Sequence, residues 1–222
     1  NPREKVIEYL LEDAEKKQKL IDLTVKEFAD ETSRESPAPG GGTISAYMGA
    51  LGAALGTMVA NLSSHKAGWD ARWEEFSYWA NKGQAIQSEL MVLVDEDTEA
   101  FNRIMSAFGL PKESAEEKTA RSMAIQEATL FATEVPLHTM QASYKVFELC
   151  RAMAEEGNPN SVSDAGVGVL AARAAVLGAG LNVKINASGL KDKQKAEQLV
   201  SEANILINKA NEAEKEIMKI VE

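Results

Sequence analysis

SPAPGGGTISAYMGALGAALGTMVANLSSH, residues 36–65, is the stretch on which the fold turns. Two prolines and three glycines break the chain here. An uncharged run follows, with His65 neutral, in a protein whose residues are 26% charged. Thr43 or Ser45 can start a helix that continues to about Leu62. Such a helix is long enough to cross a bilayer, for which about 20 apolar residues suffice. It is built mostly of Ala, Gly, Ser and Thr, which gain little from lipid, and it lacks a basic flank on one side and an aromatic belt. A helix that is apolar all round also serves as the central helix of a soluble bundle. The composition favours the bundle, and no membrane partner is expected.

A second bland helix, residues 164–186, looks made for the first. Ser45, Gly49, Gly52 and Gly56 follow i, i+4, i+7, i+11 and share a face, as do Gly168, Ala171, Ala175 and Gly178. Small side chains let two helix axes approach closely. The two helices are expected to pack on each other, within the subunit or across a dimer interface.

The rest of the chain also reads as helix. Residues 3–31 are amphipathic through Val6, Leu10, Leu20, Leu23, Val25 and Phe28. SSHKAGWD (63–70) is a connector, and a long helix follows from about 70 to 108, ended by GLP (109–111). Ser114, with Glu117 three residues on, forms a capping box for a helix to about Glu155 that should kink or break near Pro136. GNPNSVSD (157–164) is a loop and cap, and 190–221 is a last amphipathic helix. No alternating β pattern occurs. The expected fold is all-α: about six helices in one bundle, with 1–30 a linker-like N-terminal segment and 31–222 the helical domain.

The formal net charge is −10, and LKDKQKAEQ (190–198) and EKKQK (15–19) mix both signs, so no nucleic-acid partner is expected. Cys150 is the single cysteine, so no internal disulfide can form, which fits a reducing, cytoplasmic setting. Its neighbours VFELCRAMA read as helix, which makes it a core residue rather than a nucleophile. His65 and His138 are the only histidines, leaving no zinc-site spacing, and no metal or cofactor is expected. The chain begins with Asn1 rather than Met, as a cut or processed end would.

In ELMVLVDEDTEAFNRIMSAF (89–108), Leu90, Val94, Phe101, Ile104 and Phe108 form one stripe at 100° per residue. Asp97 falls on that stripe, while Asp95, Glu96 and Glu99 point elsewhere. A carboxylate turned inward is costly unless paired, and burial raises its pKa, the setting wanted for proton transfer near neutral pH. The alternative is a cap or salt bridge to a neighbouring helix end. A second polar set surrounds the 164–186 helix. Ser161 or Ser163 can N-cap it, with Asp164 in its first turn, and Asn182 and Asn186 lie on nearly the same face. Asp164 and Asn182 are ~27 Å apart at 1.5 Å per residue. They can serve opposite ends of an extended ligand, or sites in different subunits; the other reading of the asparagines is a bond to helix ends. PGGGT lacks the ending of a P-loop. Its Gly40, Gly41 and Gly42 either break the chain or expose free N–H groups that suit an anion.

SPAPGGG with its Gly/Ala helix, VDEDTEAF, LPK, ATEVPL, GNPNSVSDAGV and LNVKIN, in this order over about residues 30–190, resemble the cyclodeaminase/cyclohydrolase family of folate enzymes. The best-known members of that family are formimidoyltetrahydrofolate cyclodeaminases, often one half of a bifunctional enzyme of histidine breakdown. The opening NPREKVIEYL resembles the segment joining the two halves, so a formimidoyltransferase half is an expected partner.

The resemblance implies an all-helical, dimer-forming domain, a homodimer or higher even-numbered oligomer. It implies a reduced-folate substrate and conversion of 5-formimidoyltetrahydrofolate to 5,10-methenyltetrahydrofolate with release of ammonia. The family's catalytic aspartate, the second Asp of V-D-x-D, corresponds to Asp97. The glycine loop and the SDAG segment with Asp164 correspond to site-lining motifs. The chain departs from the family after VANLS, where Lys66 is the nearest counterpart of a basic residue. On this reading Asp97 shuttles protons as base and then as acid, and Phe101, Asn182 and Asn186 are substrate-binding candidates. The glycine-led helix or Lys66 receives the anionic glutamate tail, which in a polyglutamylated folate is longer. An apolar cleft holds the rings. The alternatives are a methenyltetrahydrofolate cyclohydrolase of the same family, or a non-catalytic helical oligomerisation module.

Overall fold

The bland run folds as a helix because nothing in it competes with helical hydrogen bonding, and its neighbours close on it because it has almost no side chains. The computed structural model describes residues 19–36 and 38–222, and all its regular structure there is helical. The α-helices are α1 (Val25–Thr32), α2 (Gly41–Ser64), α3 (Trp73–Phe108), α4 (Ala115–Glu156), α5 (Val162–Ala187) and α6 (Lys193–Val221), with 3-10 turns at Leu20–Asp22, Asp70–Arg72 and Pro159–Ser161. The all-α fold of about six helices is therefore as the sequence predicts. Helix α2 starts at Gly41, two residues before the earlier of the expected starts, with Gly40 as its N-cap.

Helices α2 and α5 pack antiparallel within the chain: Ser45 lies against Gly178, and Gly52 against Gly168. A Cβ on Gly52 would lie 2.8 Å from the Gly168 carbonyl oxygen, so only glycine permits this approach. The four small residues of α2 do not share one partner, however. Gly49 faces Ser143 and Leu90, and Gly56 faces Leu149 and Cys150. Small residues on two sides of α2 let α3 and α4 close on it as well as α5, and so Ala46, Ala53, Val59 and Ala60 have no exposed surface. Cys150 is fully buried in this contact, and burial pushes its thiol up to about 12. Gly41–Ser64 and Pro159–Ala187 are both long and apolar enough to cross a membrane. Each buries half or more of its most apolar window against the rest of the bundle.

The N-terminal expectation needs correction. Residues 3–18, with Val6 and Leu10, lie outside the described residues. From Lys19 onward the chain is not one helix but a 3-10 turn followed by α1. The sequence reading missed a second capping box: the Thr24 hydroxyl accepts from the Glu27 N–H, and the Glu27 carboxylate accepts from the Thr24 N–H. Val25 is consequently 78% exposed rather than core, while Phe28 packs on Tyr47 with ring centroids 5.1 Å apart. The inner stripe of α3 also differs at its end. Ala100 and Ala107 take the buried positions, and Phe108 is half exposed, with the Arg121 guanidinium 5.6 Å from its ring.

Helix α4 begins at the expected Ser114–Glu117 box and runs unbroken through Pro136. Pro136 has no N–H to give the Ala132 carbonyl four residues back. The Asn186 amide of α5 donates to that carbonyl instead, at 2.6 Å. A side chain from the next helix thus replaces the missing backbone donor. Asn186→Ala should cost about 1–3 kcal/mol, the penalty of an orphaned buried carbonyl. Pro136→Ala restores a backbone donor to Ala132, so the loss should shrink sharply in that background. A double-mutant cycle in urea measures the coupling.

Candidate active site at the N-terminus of the glycine-led helix

Helix α2 begins with free backbone N–H groups, as every helix does. Its first turn carries no side chains until Thr43, and Asp97 of α3 fills the space this leaves. A Cβ on Gly42 would lie 2.6 Å from Asp97 Cγ and closer still to Oδ1, so glycine is required there by the acid group itself. The Gly40 N–H donates to Thr43 Oγ1 at 3.3 Å, and Thr43 Oγ1 donates its one proton to Asp97 Oδ2 at 2.7 Å. Oδ2 is thereby anchored. Oδ1 lies over Gly42.

Burial pushes the Asp97 carboxyl above its ordinary value of 3.8, and hydrogen bonds from the Thr43 hydroxyl and backbone N–H pull part of the way back. Desolvation wins because the turn above the acid is nearly bare and Val94, one turn before it, is fully buried. The expected inward aspartate is therefore present. Its main contact is the glycine-led helix end.

Other predicted residues divide. Asn182 is brought to the site: its amide packs against Gly41, and its nitrogen donates to the Gly178 carbonyl at 3.1 Å. Gly40, Gly41 and Gly42 form the cap and first turn around the acid. Asn186 is one turn further along α5 and holds the Ala132 carbonyl. Phe101 lines a cavity of about 490 Å³ between α3 and the N-terminal segment, together with Leu20, Leu23, Ala38, Asp95 and Thr98. Asp164 sits in the first turn of α5, the far end of that helix from Asn182. Lys66 follows the C-terminus of α2, roughly 36 Å from Gly41 at 1.5 Å per residue. There its ammonium lies 3.9 Å from the Trp69 ring centre. Neither Asp164 nor Lys66 meets Asp97 within one protomer.

Sequence reasoning missed two participants. Thr43 was visible only as a helix start, yet a hydroxyl three residues after the N-cap is placed to bond whatever enters the first turn. Asp95 accepts the Leu20 N–H at 3.0 Å and ties the N-terminal segment to α3, a contact 75 residues away in sequence. A larger cavity, about 590 Å³, lies between α3 and α4 beside Asn102, Arg103, Ser106 and Phe131. Its α3 residues point roughly 140–280° round the helix from Asp97 at 100° per residue, and neither of the two cavities is lined by Asp97 or by the glycine turn. Among the described residues no three His, Cys, Asp or Glu side chains converge as a metal site would require.

Residues 24–205 match the family model described as formiminotransferase-cyclodeaminase. The chain belongs to this family. A methenyltetrahydrofolate cyclohydrolase of Methylorubrum extorquens is 39% identical over 198 residues, which cover 89% of this chain and 95% of that protein. The formimidoyltransferase-cyclodeaminase of Rattus norvegicus is 33% identical over 90% of this chain, but the match covers only 38% of its own length. The crystal structure of formiminotetrahydrofolate cyclodeaminase from Thermotoga maritima superposes with a TM-score of 0.79 at 26% identity, covering 90% of this chain and 96% of that one. The family assignment agrees with the resemblance read from the motifs.

Gly42→Ala gives a direct test of the site geometry. The new methyl cannot share space with the carboxylate, while alanine favours helix over glycine by about 1 kcal/mol. Thermal stability should therefore hold or fall only slightly. The Asp97–Thr43 hydrogen bond should be lost, which a crystal structure of the variant would reveal as a turned carboxylate.

Proposed function

We propose that this chain is a formimidoyltetrahydrofolate cyclodeaminase, an ammonia-lyase in which Asp97 moves the protons. The observation that carries the reading is the Asp97 carboxyl, with one oxygen held by Thr43 and the other over a bare helix turn. In its amidinium form, the formimidoyl carbon on N5 is attacked by N10. The N10–C bond forms, and N10 becomes positively charged. The Asp97 carboxylate takes the N10 proton and passes it to the amino group of the adduct. The C–N bond then breaks and ammonia leaves, so a cation enters and a cation, the methenyl group, remains. The restored carboxylate stabilises that cation electrostatically. Phe101, one turn of α3 after Asp97, offers an apolar wall for the rings, and no step requires a metal or redox cofactor.

A second reading is supported by the cyclohydrolase relative, which is 39% identical and covered over nearly its whole length. There water attacks the methenyl carbon, the carboxylate takes a proton from it, and a proton is returned to the departing ring nitrogen. The same acid group serves both reactions. Assay of the chain on 5-formimidoyl- and 5,10-methenyltetrahydrofolate separates them, with ammonia release expected from the first.

Asp97→Asn is nearly isosteric and removes the exchangeable carboxyl. Ammonia release should fall at least 100-fold, and a rate near wild type would reject this role. Stability should move the other way. A carboxyl whose folded pKa is raised contributes stability when protonated, and loses it as pH rises through that pKa. At pH 7 the ionised group is therefore a cost, and Asp97→Asn should unfold at equal or higher urea concentration than wild type.

The partner proposed for the outer face of α2 and α5 is a second copy of the chain. Leu51, Met58 and Leu62 of α2, and Val167, Leu170, Leu181 and Ile185 of α5, stand exposed there; Leu181 and Ile185 are 69% and 70% accessible. The two helices adjoin, so the strip is continuous, and Asp164 is the one acidic residue that the two helices carry in a chain of net charge −10. A two-fold pairing of antiparallel α5 helices would bring the partner's first α5 turn toward this protomer's Asn182. The pairing accounts for Asp164 as a residue serving the neighbouring site. Light scattering should give twice the chain mass for the wild type and a monomer for Leu181→Glu/Ile185→Glu.

A further inference from the structure

Buried hydroxyls in this bundle mostly bond back along their own helix. Thr57, Thr133 and Thr139 each donate to the carbonyl four residues before them, at 2.7–3.2 Å. Thr43 is equally buried and does something else. Near the start of its helix it lacks a helical carbonyl four residues back, and its proton crosses 54 residues of sequence to Asp97. The same oxygen accepts the Gly40 N–H, so both hydrogen-bonding directions are fixed by named groups. A hydroxyl has one proton to give. With an N–H already aimed at the oxygen, that proton is directed at Asp97 Oδ2.

We propose that Thr43 is the positioning residue of the acid–base site: it locks Asp97 Oδ2 as an acceptor, leaves Oδ1 as the sole oxygen that gains and loses the proton, and ties that geometry to the glycine loop through Gly40. The proposal rests on the reading of Asp97 as the proton carrier and adds the group that sets its orientation and acidity. A free carboxyl could rotate and present either oxygen. Here rotation would break the part-buried 2.7 Å hydrogen bond from Thr43 to Oδ2. The coupling also runs outward. A ligand that draws the Gly40 N–H away from Thr43 frees the hydroxyl to turn, so loop occupancy and the acid's environment change together.

Among the described residues no charged side chain pairs with Asp97. Helix α2 meets the acid through Gly42 and Thr43, and the α5 side chain packed on the adjoining Gly41 is the neutral Asn182. On α3, Asp95 bonds Leu20, and Glu99 pairs with Arg103. Glu31 of α1 and Lys19 face the neighbouring cavity. From α4, Glu127 and Glu134 line the cavity between α3 and α4, and His138 and Lys145 lie beside Glu89, Val92 and Glu96. Burial and Thr43 account for the shift of Asp97 between them.

The test compares Thr43→Val, which keeps the shape and loses the hydroxyl, with Thr43→Ser, which keeps the hydroxyl. The Asp97 carboxyl is titrated by NMR in the full chain labelled at aspartate carbons, and kcat and KM are measured across pH. In Thr43→Val the carboxyl should titrate at higher pH than in wild type, the acid limb of kcat/KM should move up with it, and kcat should drop about 10- to 100-fold with KM little changed. Thr43→Ser should restore both. An unshifted titration in Thr43→Val overturns the proposal, as does a Thr43→Ser variant as impaired as Thr43→Val, which would mean that the methyl packs rather than the hydroxyl orients. If the wild type turns over neither folate, the functional reading fails, while the NMR titration still decides whether Thr43 sets the acid.

Discussion

One contact governs this structure: a carboxyl group pressed onto the first turn of a helix that has no side chains there. Asp97 can occupy its place only because Gly42 has no Cβ, and it keeps that place through Thr43. The same bareness continues along α2, where Gly52 meets Gly168 at backbone distance and Gly49 and Gly56 admit Leu90 and Leu149. Close approach of helices and close approach of an acid group are thus one property of one segment. Chain entropy makes such a glycine-rich helix weak in isolation. It is held by the helices that wrap it, so the site and the core form together.

The electrostatics follow from the same geometry. A helix N-terminus favours a carboxylate, and so do the Thr43 hydroxyl and N–H. Burial opposes them and prevails, leaving the acid more easily protonated than an exposed aspartate. A group balanced between these effects can both take and give a proton, which is what the proposed chemistry asks of it. Structural need alone would have been met more cheaply by a threonine–amide pair at this position. An acid that costs stability at neutral pH and is nevertheless enclosed is the kind of local conflict expected where a fold carries chemistry.

Elsewhere the structure resolves conflicts by borrowing from neighbours. Pro136 would interrupt α4, but the Asn186 amide reaches from α5 to the carbonyl that Pro136 leaves unpaired. Asp95 and Leu20 do the same for the N-terminal segment, whose 3-10 turn begins on a side-chain acceptor of α3. Both repairs link residues more than 50 positions apart, and neither leaves a local pattern in the chain. That is why the sequence suggested a break at Pro136, and why Asn186 stood among the ligand candidates.

Periodicity and capping chemistry are local, and they were readable: the all-helical class, the Ser114 box, the end of α3 at GLP, and Asp97 as the one acid of its cluster turned inward. Side-chain size alone also announced that α2 and α5 would meet. The partners themselves were not readable, because a period of 3.6 says which face a residue occupies but not what stands opposite. Only the folded chain decided that Gly49 and Gly56 face α3 and α4, that Thr43 attends the acid, and that Lys66 lies at the other end of α2 from it. Those outcomes depend on how five long helices share one interior, and that is set by packing summed over the whole molecule.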